Sequence, residues 1–273
     1  MVKRSHTRVA PTAYSVARSR ALSDIPFAPE IAKWLEKDLR DKKRIVSDAF
    51  KPKQVVTIEA RYKLLDKLVL ENCSGQVLEL AAGLLPRGYL FSKKGITYVE
   101  TDLANLATQK KRMYKSIFPK LPNTLFLEKA DATKRKDLTR VARHFDKKKP
   151  LVVTHEGLLR YLTFEEKALV AKNIHLLLEE FGGVWITCDI TLKKMLPKST
   201  LRKIKKRIGM DVSKNAFKSV KHAKRFFSEL GFSVVVHSPA EIQSELVTPK
   251  LFKLDEQKVS KMLNFVVFEM WAK

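Results

Sequence analysis

The stretch VLELAAGLLPRG, residues 77–88, decides how this chain is read. Val77, Leu78 and Leu80 predict a short buried strand, and Ala81, Ala82 and Gly83 a turn of small residues directly after it. In α/β folds such a turn lets the backbone approach a ligand at the C-terminal end of a strand. About twenty residues on, ITYVE at 96–100 predicts a second strand ending in an acid, a placement suited to the hydrogen bonds of a ribose diol. The pair points to a nucleoside-containing cofactor. Ordinary turn chemistry and a strand that merely ends in an acid account for the same residues, and at this point both readings stand.

Upstream, ARSRA at 17–21 predicts a helical turn, broken by DIPFAP at 24–29, where two prolines constrain the backbone. Ile31, Leu35 and Leu39 share one face of a second helix. Pro52 marks another break, Thr57 a cap, and Ile58, Leu65, Leu68 and Val69 an apolar stripe on the helix leading into the first strand. Arg61 stands near the start of that helix, as a structural arginine or one aimed at a ligand carboxylate. Downstream, TLFL at 124–127 predicts a third strand reaching Ala130, Asp131 and Ala132. LVVT at 151–154 predicts a fourth, ending at His155, Glu156 and Gly157. Thr163 and Glu166 form a capping box for a long helix stopped by Gly182 and Gly183. Residues 184–188 predict a fifth strand delivering Asp189, and residues 232–237 and 265–271 a late pair lying side by side. Five strand–helix units followed by that pair argue for a mostly parallel sheet covered on both faces. A strand order that reverses beside Val77 brings Gly83, Glu100, Asp131 and His155 to one crevice.

The 273 residues suit one large α/β domain with additions, and 45% hydrophobic content supports a sizeable core. No apolar stretch is long enough to span a membrane and no secretory h-region is present, so a reduced, cytoplasmic protein is expected. Cys73 and Cys188 make neither a disulfide framework nor a metal motif, and no metal is expected. The net charge of +25 attracts anions and leaves an anionic substrate or a nucleic acid open as partner.

Several segments, in order, resemble a class I S-adenosylmethionine-dependent methyltransferase. More narrowly, they resemble the leucine carboxyl methyltransferase and bacterial polyketide O-methyltransferase family. Its ELGAGLDTR-like loop, YVEVD-like second strand, Asp after the third strand and EGxxxYL segment match ELAAGLLPR at 79–87, YVETDL at 98–103, ADA at 130–132 and EGLLRYL at 156–162. VARSRAL at 16–22 and RYKLLD at 61–66 are similar to the family's leader. Ala81 replaces the usual first glycine, and Leu85 and Pro86 replace Asp and Thr. The resemblance implies a Rossmann-like, mostly parallel seven-stranded sheet with helices on both faces and a late antiparallel strand. It implies a helical N-terminal extension over residues 1–72 closing the cofactor site, and a methyltransferase domain over 73–273. S-adenosylmethionine is the implied cofactor. Glu100, with Thr101, would bind its ribose, and Asp131, with Ala132, its adenine end. Arg61 would pair with the methionine carboxylate, and Glu79 would orient the loop or the amino-acid portion. Ala81 and Gly83 would allow close approach, and His155 and Glu156 would border the methionyl part.

Methyl transfer from a sulfonium is an in-line displacement in which the protein mainly aligns the acceptor and excludes water. A carboxylate acceptor needs no general base, whereas a phenol gains from one. His155, Tyr161 and Asp189 are the catalytic candidates. The basic stretch 192–225 is expected as a helical lid over a small-molecule acceptor, with Met195, Leu196, Leu201, Ile204 and Ile208 inward and Lys203, Lys205, Lys206 and Arg207 outward. The expected activity is O-methylation of a carboxyl or hydroxyl group of a small organic metabolite. The alternatives are protein carboxyl methylation, RNA methylation, or a cofactor-binding protein that has lost catalysis. THEG after the fourth strand, where exocyclic base N-methylation would want NPPY, disfavours the RNA reading.

Overall fold

A computed structural model describes residues 10–41, 50–196, 201–202 and 211–273. Seven strands form one sheet in the order β3-β2-β1-β4-β5-β7-β6. They are β1 (Gln76–Leu80), β2 (Thr97–Asp102), β3 (Leu125–Lys129), β4 (Leu151–His155), β5 (Gly183–Thr187), β6 (Phe232–His237) and β7 (Val267–Ala272). β1 to β5 are mutually parallel, and β7 runs antiparallel between β5 and β6. The late strand pair is therefore adjacent, as the sequence predicts. The chain leaves β1 toward β2 and β3, then crosses back to β4, so the order reverses between β1 and β4. Ligands in open α/β sheets bind beyond the strand C-termini at such a reversal.

Both sheet faces are covered, which explains why the central strands read as near-continuous apolar runs. On one face Val77, Tyr98, Val152 and Ile186 pack with Leu35, Leu64, Leu65 and Met113. On the other, Leu78, Val99, Val153 and Trp185 pack with Leu138, Val170, Ile174 and Phe227. The N-terminal helices α1 (Ala10–Arg20), α2 (Ala28–Asp41) and α3 (Pro52–Asn72) belong to the first of these cores. The N-terminal extension thus shares a core with the sheet. Among the described residues, no helix is long and apolar enough to cross a membrane.

Local signals mostly hold. Thr163 and Glu166 form the reciprocal capping box of α4 (Phe164–Phe181), which ends at Gly182. Thr57 does not cap α3. That helix starts at Pro52, placed where a missing N–H costs nothing, and Thr57 instead donates from Oγ1 to the Met262 carbonyl. The second strand runs two residues further than ITYVE suggests, because Thr101 and Asp102 pair with Glu128 and Lys129 of β3.

The basic stretch after β5 is an excursion with a closed base. Leu192 bridges Phe217, Phe217 N donates to the Thr191 carbonyl, and Lys193 N to the Phe217 carbonyl. The helix Val220–Glu229 is no part of a lid: its Phe227 is buried edge-on against Trp185 and near Phe268, on the sheet. Ile204, Ile208, Lys203, Lys205, Lys206 and Arg207 lie outside the described residues.

Candidate active site

A cleft opens at the reversal point, lined by side chains from α1, α3, the turn after β1 and the C-terminal ends of β2, β3 and β4. The turn after β1 holds two residues in the left-handed region, Ala81 at φ 50° and Gly83 at φ 53°. Glycine adopts this conformation without a Cβ penalty and alanine does not, so Ala81 carries local strain of about 1 kcal/mol. Ala82 N donates to the Thr101 carbonyl, and Gly83 N to Asp102 Oδ2 at 2.8 Å, tying the turn to the end of β2.

On the β2–β3 side the cleft is lined by Asp102, Leu103, Leu106, Asp131 and Ala132. Asp102 Oδ1 accepts from Leu103 N at 2.7 Å, leaving each carboxylate oxygen one further lone-pair direction. Burial raises its pKa against the pull of the Gly83 and Leu103 N–H groups. Asp131 lines the cleft and also caps the following turn, accepting from Thr133 N and Thr133 Oγ1 on Oδ1. Asp131 thus closes the turn after β3 and stands at the cleft wall.

On the β4 side, Glu156 is flanked by two arginines from the N-terminal helices. Arg20 Nη2 lies 3.1 Å from Oε2, and Arg61 Nε 3.5 Å from Oε1. Burial alone would raise the Glu156 carboxyl, but Arg20 and Arg61, with smaller contributions from Arg87 and Arg160, hold it below the usual carboxylate range. Arg61 Nε also reaches Cys188 Sγ at 3.4 Å, and burial pushes that thiol up to about 11. Arg20 Nε is buried and has no hydrogen-bond partner among the described residues. An orphaned guanidinium donor beside an already satisfied carboxylate fits a second carboxylate arriving from the cleft.

Several predicted site residues lie elsewhere. Glu100 does not line the cleft. It is 2% exposed and accepts from Gly88 N at 3.1 Å and Tyr114 Oη at 3.0 Å, with Lys110 Nζ 2.8 Å away. Gly88 permits this approach, since a Cβ there would overlap the Glu100 carboxylate. The acid of β2 that reaches the cleft is Asp102. Glu79 is likewise internal, bound by Arg87 and Tyr98 Oη, while Arg87 also pairs with Asp66. Glu79 therefore faces the helix start at Arg87 and not the cleft. Thr101 is buried and donates to the Glu79 carbonyl.

Of the catalytic candidates, Tyr161 lines the cleft, whereas His155 and Asp189 lie behind it. His155 Nδ1 meets Thr187 Oγ1 at 3.2 Å, and burial pushes its imidazole down to about 4. Asp189 is fully buried and accepts from Arg160 N and Nε, both at 3.2 Å. Arg20, Asp102 and Arg160 are the charged cleft residues for which the sequence alone signals no role.

The reversed sheet, its single antiparallel strand and the cleft at the switch point define the class I S-adenosylmethionine-dependent methyltransferase fold. Residues 9–175 match the leucine carboxyl methyltransferase family; the chain belongs to it and is an S-adenosylmethionine-dependent methyltransferase. Solved structures with a similar fold include magnesium protoporphyrin IX methyltransferase from Synechocystis PCC 6803 with bound SAH (10% identity, TM-score 0.51, 96% of this chain and 100% of that one). A protein from Thermobifida fusca YX assigned as a methyltransferase is also similar (15% identity, TM-score 0.57, 94% of each chain). No curated protein matches the chain.

Proposed function

We propose that this enzyme transfers the methyl group of S-adenosylmethionine to a carboxylate oxygen of a small organic acid. The cofactor, when bound, supplies the activated methyl group. Asp102 would hold its ribose diol, Asp131 and Ala132 would border its adenine end, and Arg61 and Arg20 would pair with its methionine carboxylate. Glu156 keeps these two guanidiniums charged and fixed, and its lowered pKa keeps it anionic at neutral pH.

The observation that supports carboxyl over hydroxyl chemistry is the withdrawal of two of the three catalytic candidates, His155 and Asp189, from the cleft, which leaves Tyr161 alone at its wall. His155 sits behind the cleft with its pKa near 4, and Asp189 is committed to Arg160. A general base works best with a pKa near the operating pH, and a carboxylate acceptor needs none. The family match favours a protein carboxylate as second reading. Host lysate incubated with methyl-labelled cofactor and either active protein or an Arg61→Leu control tests the assignment. The expected outcome is base-labile label in the small-molecule fraction. Base-labile label in protein would favour the second reading, and alkali-stable label would refute carboxyl chemistry.

A further inference from the structure

The β4 side of the cleft presents a cation whose outer edge has no hydrogen-bond partner among the described residues. Arg160 belongs to the single turn Leu159–Tyr161 and lines the cleft. Its backbone N–H and its Nε both donate to Asp189, so one carboxylate fixes the backbone and the root of the guanidinium together. Asp189 is 0% exposed and the Arg160 side chain 29%, which makes the acid the anchor and the guanidinium the accessible half. An arginine serving only to neutralise Asp189 would turn two nitrogens to its two oxygens. Here the side chain uses Nε alone, and Nη1 and Nη2 have no hydrogen-bond partner among the described residues.

The surroundings hold this arrangement in place. The turn Val212–Asn215, at the end of the excursion, packs on Leu159–Tyr161. Lys167, buried beneath both, donates from Nζ to the carbonyls of Leu162 at 2.5 Å and Asn215 at 2.8 Å. Charge points the same way. On the β4 side three guanidiniums (Arg20, Arg61 and Arg160) face two carboxylates (Glu156 and Asp189), while Asp102 and Asp131 lie on the β2–β3 side of the cleft. The local excess of one positive charge beside Arg160, to which a sulfonium would add another, favours an anion at this end of the cleft.

Resting on the methyltransferase reading, we propose that Arg160 is the acceptor-recognition residue, its Nη edge binding the carboxylate of an anionic acceptor and selecting organic acids over neutral isosteres. In the transfer, a carboxylate oxygen bonds to the methyl carbon while the carbon–sulfur bond breaks and its electron pair goes to sulfur. Carboxylate and sulfonium neutralise each other, and no proton is released. The ester no longer carries the charge that Arg160 holds, which favours its departure.

The test uses the full chain saturated with S-adenosylhomocysteine, with propionate and propionamide as matched probes. The Arg160 Nε–H resonance is assigned by its loss in Arg160→Lys and followed by NMR at constant ionic strength. Propionate should shift it saturably and propionamide should not. In Arg160→Leu/Asp189→Asn, which leaves no stranded buried carboxylate, propionate affinity should fall about tenfold or more while S-adenosylhomocysteine affinity stays within about threefold. Equal shifts with both probes, no saturable shift in the saturated protein, or unchanged propionate affinity in the double variant would overturn the assignment. Failure of S-adenosylhomocysteine to bind the unmodified protein would instead overturn the methyltransferase reading, and the proposal with it.

Discussion

Exchanging the two acids of β2 separates a ligand-facing carboxylate from an internal one. Asp102 lines the cleft and holds Gly83 N at 2.8 Å, whereas Glu100 is sealed beneath the loop with Lys110, Tyr114 and Gly88. Asp102→Ala removes a charged acceptor for the ribose diol. A hydrogen bond to a charged group contributes about 1.5–3 kcal/mol, so affinity for S-adenosylhomocysteine should fall roughly ten- to a hundredfold, with further loss if the turn loosens. Glu100→Gln keeps the shape but breaks a pair whose side chains are 1% and 3% exposed. Burial raises the Glu100 carboxyl to about 7 against the pull of Lys110, so at pH 8, where the pair is charged, removing its anion costs about 3–5 kcal/mol of stability because the Lys110 charge stays buried. Calorimetric titration and thermal unfolding of both variants read the two effects separately. Asp102→Ala should bind weakly and melt near the parent, and Glu100→Gln should melt early and, below its melting point, bind nearly as well as the parent. A Glu100→Gln protein that is as stable as the parent but binds tenfold more weakly, beside an Asp102→Ala protein that binds normally, would refute this division of labour.

Arg61→Leu should weaken S-adenosylhomocysteine by at least about tenfold while leaving adenosine, which lacks the amino-acid portion, unchanged in competition calorimetry. Equal losses for both ligands would move Arg61 away from the methionine carboxylate. Ala81→Gly should relieve the strain of φ 50° and raise stability by about 1 kcal/mol in denaturant titration, less whatever the unfolded chain gains in freedom. A clear destabilisation would contradict the strained turn. The His155 ring resonances should stay flat between pH 8 and 5, since burial lowers its pKa to about 4. Its stabilising contribution is complete above the unfolded value of about 6.5 and is lost as pH falls from there toward 4. A titration midpoint near 6.5 would return His155 to the list of bases.

The architecture is legible in the sequence because local signals and tertiary demand agree. Apolar runs such as LVVT suit strands buried on both faces, and the Thr163–Glu166 box and Gly182 mark helix ends that need no distant partner. The site is legible only as a neighbourhood. Glu100 and Asp102 share strand parity, so alternation cannot rank them. The difference lies in depth, which depends on β2 continuing to pair with β3 through Asp102. Arg20 and Arg160 were in view within VARSRAL and EGLLRYL. Their chemistry arises from partners 136 and 29 positions away, Glu156 and Asp189, and no local pattern encodes such pairings. His155 looked like a base at a strand end, and its burial behind Thr187 is a property of the packed sheet.

A crystal structure of the full chain with S-adenosylhomocysteine tests the central assignment most directly. The amino-acid carboxylate should lie within hydrogen-bonding distance of Arg61 or Arg20, the ribose diol on Asp102 and the adenine beside Asp131, with Glu100 still bound to Gly88 and Lys110. A ligand whose diol lies on a swung-out Glu100, or that occupies another part of the molecule and leaves the Arg20–Glu156–Arg61 cluster untouched, would contradict it.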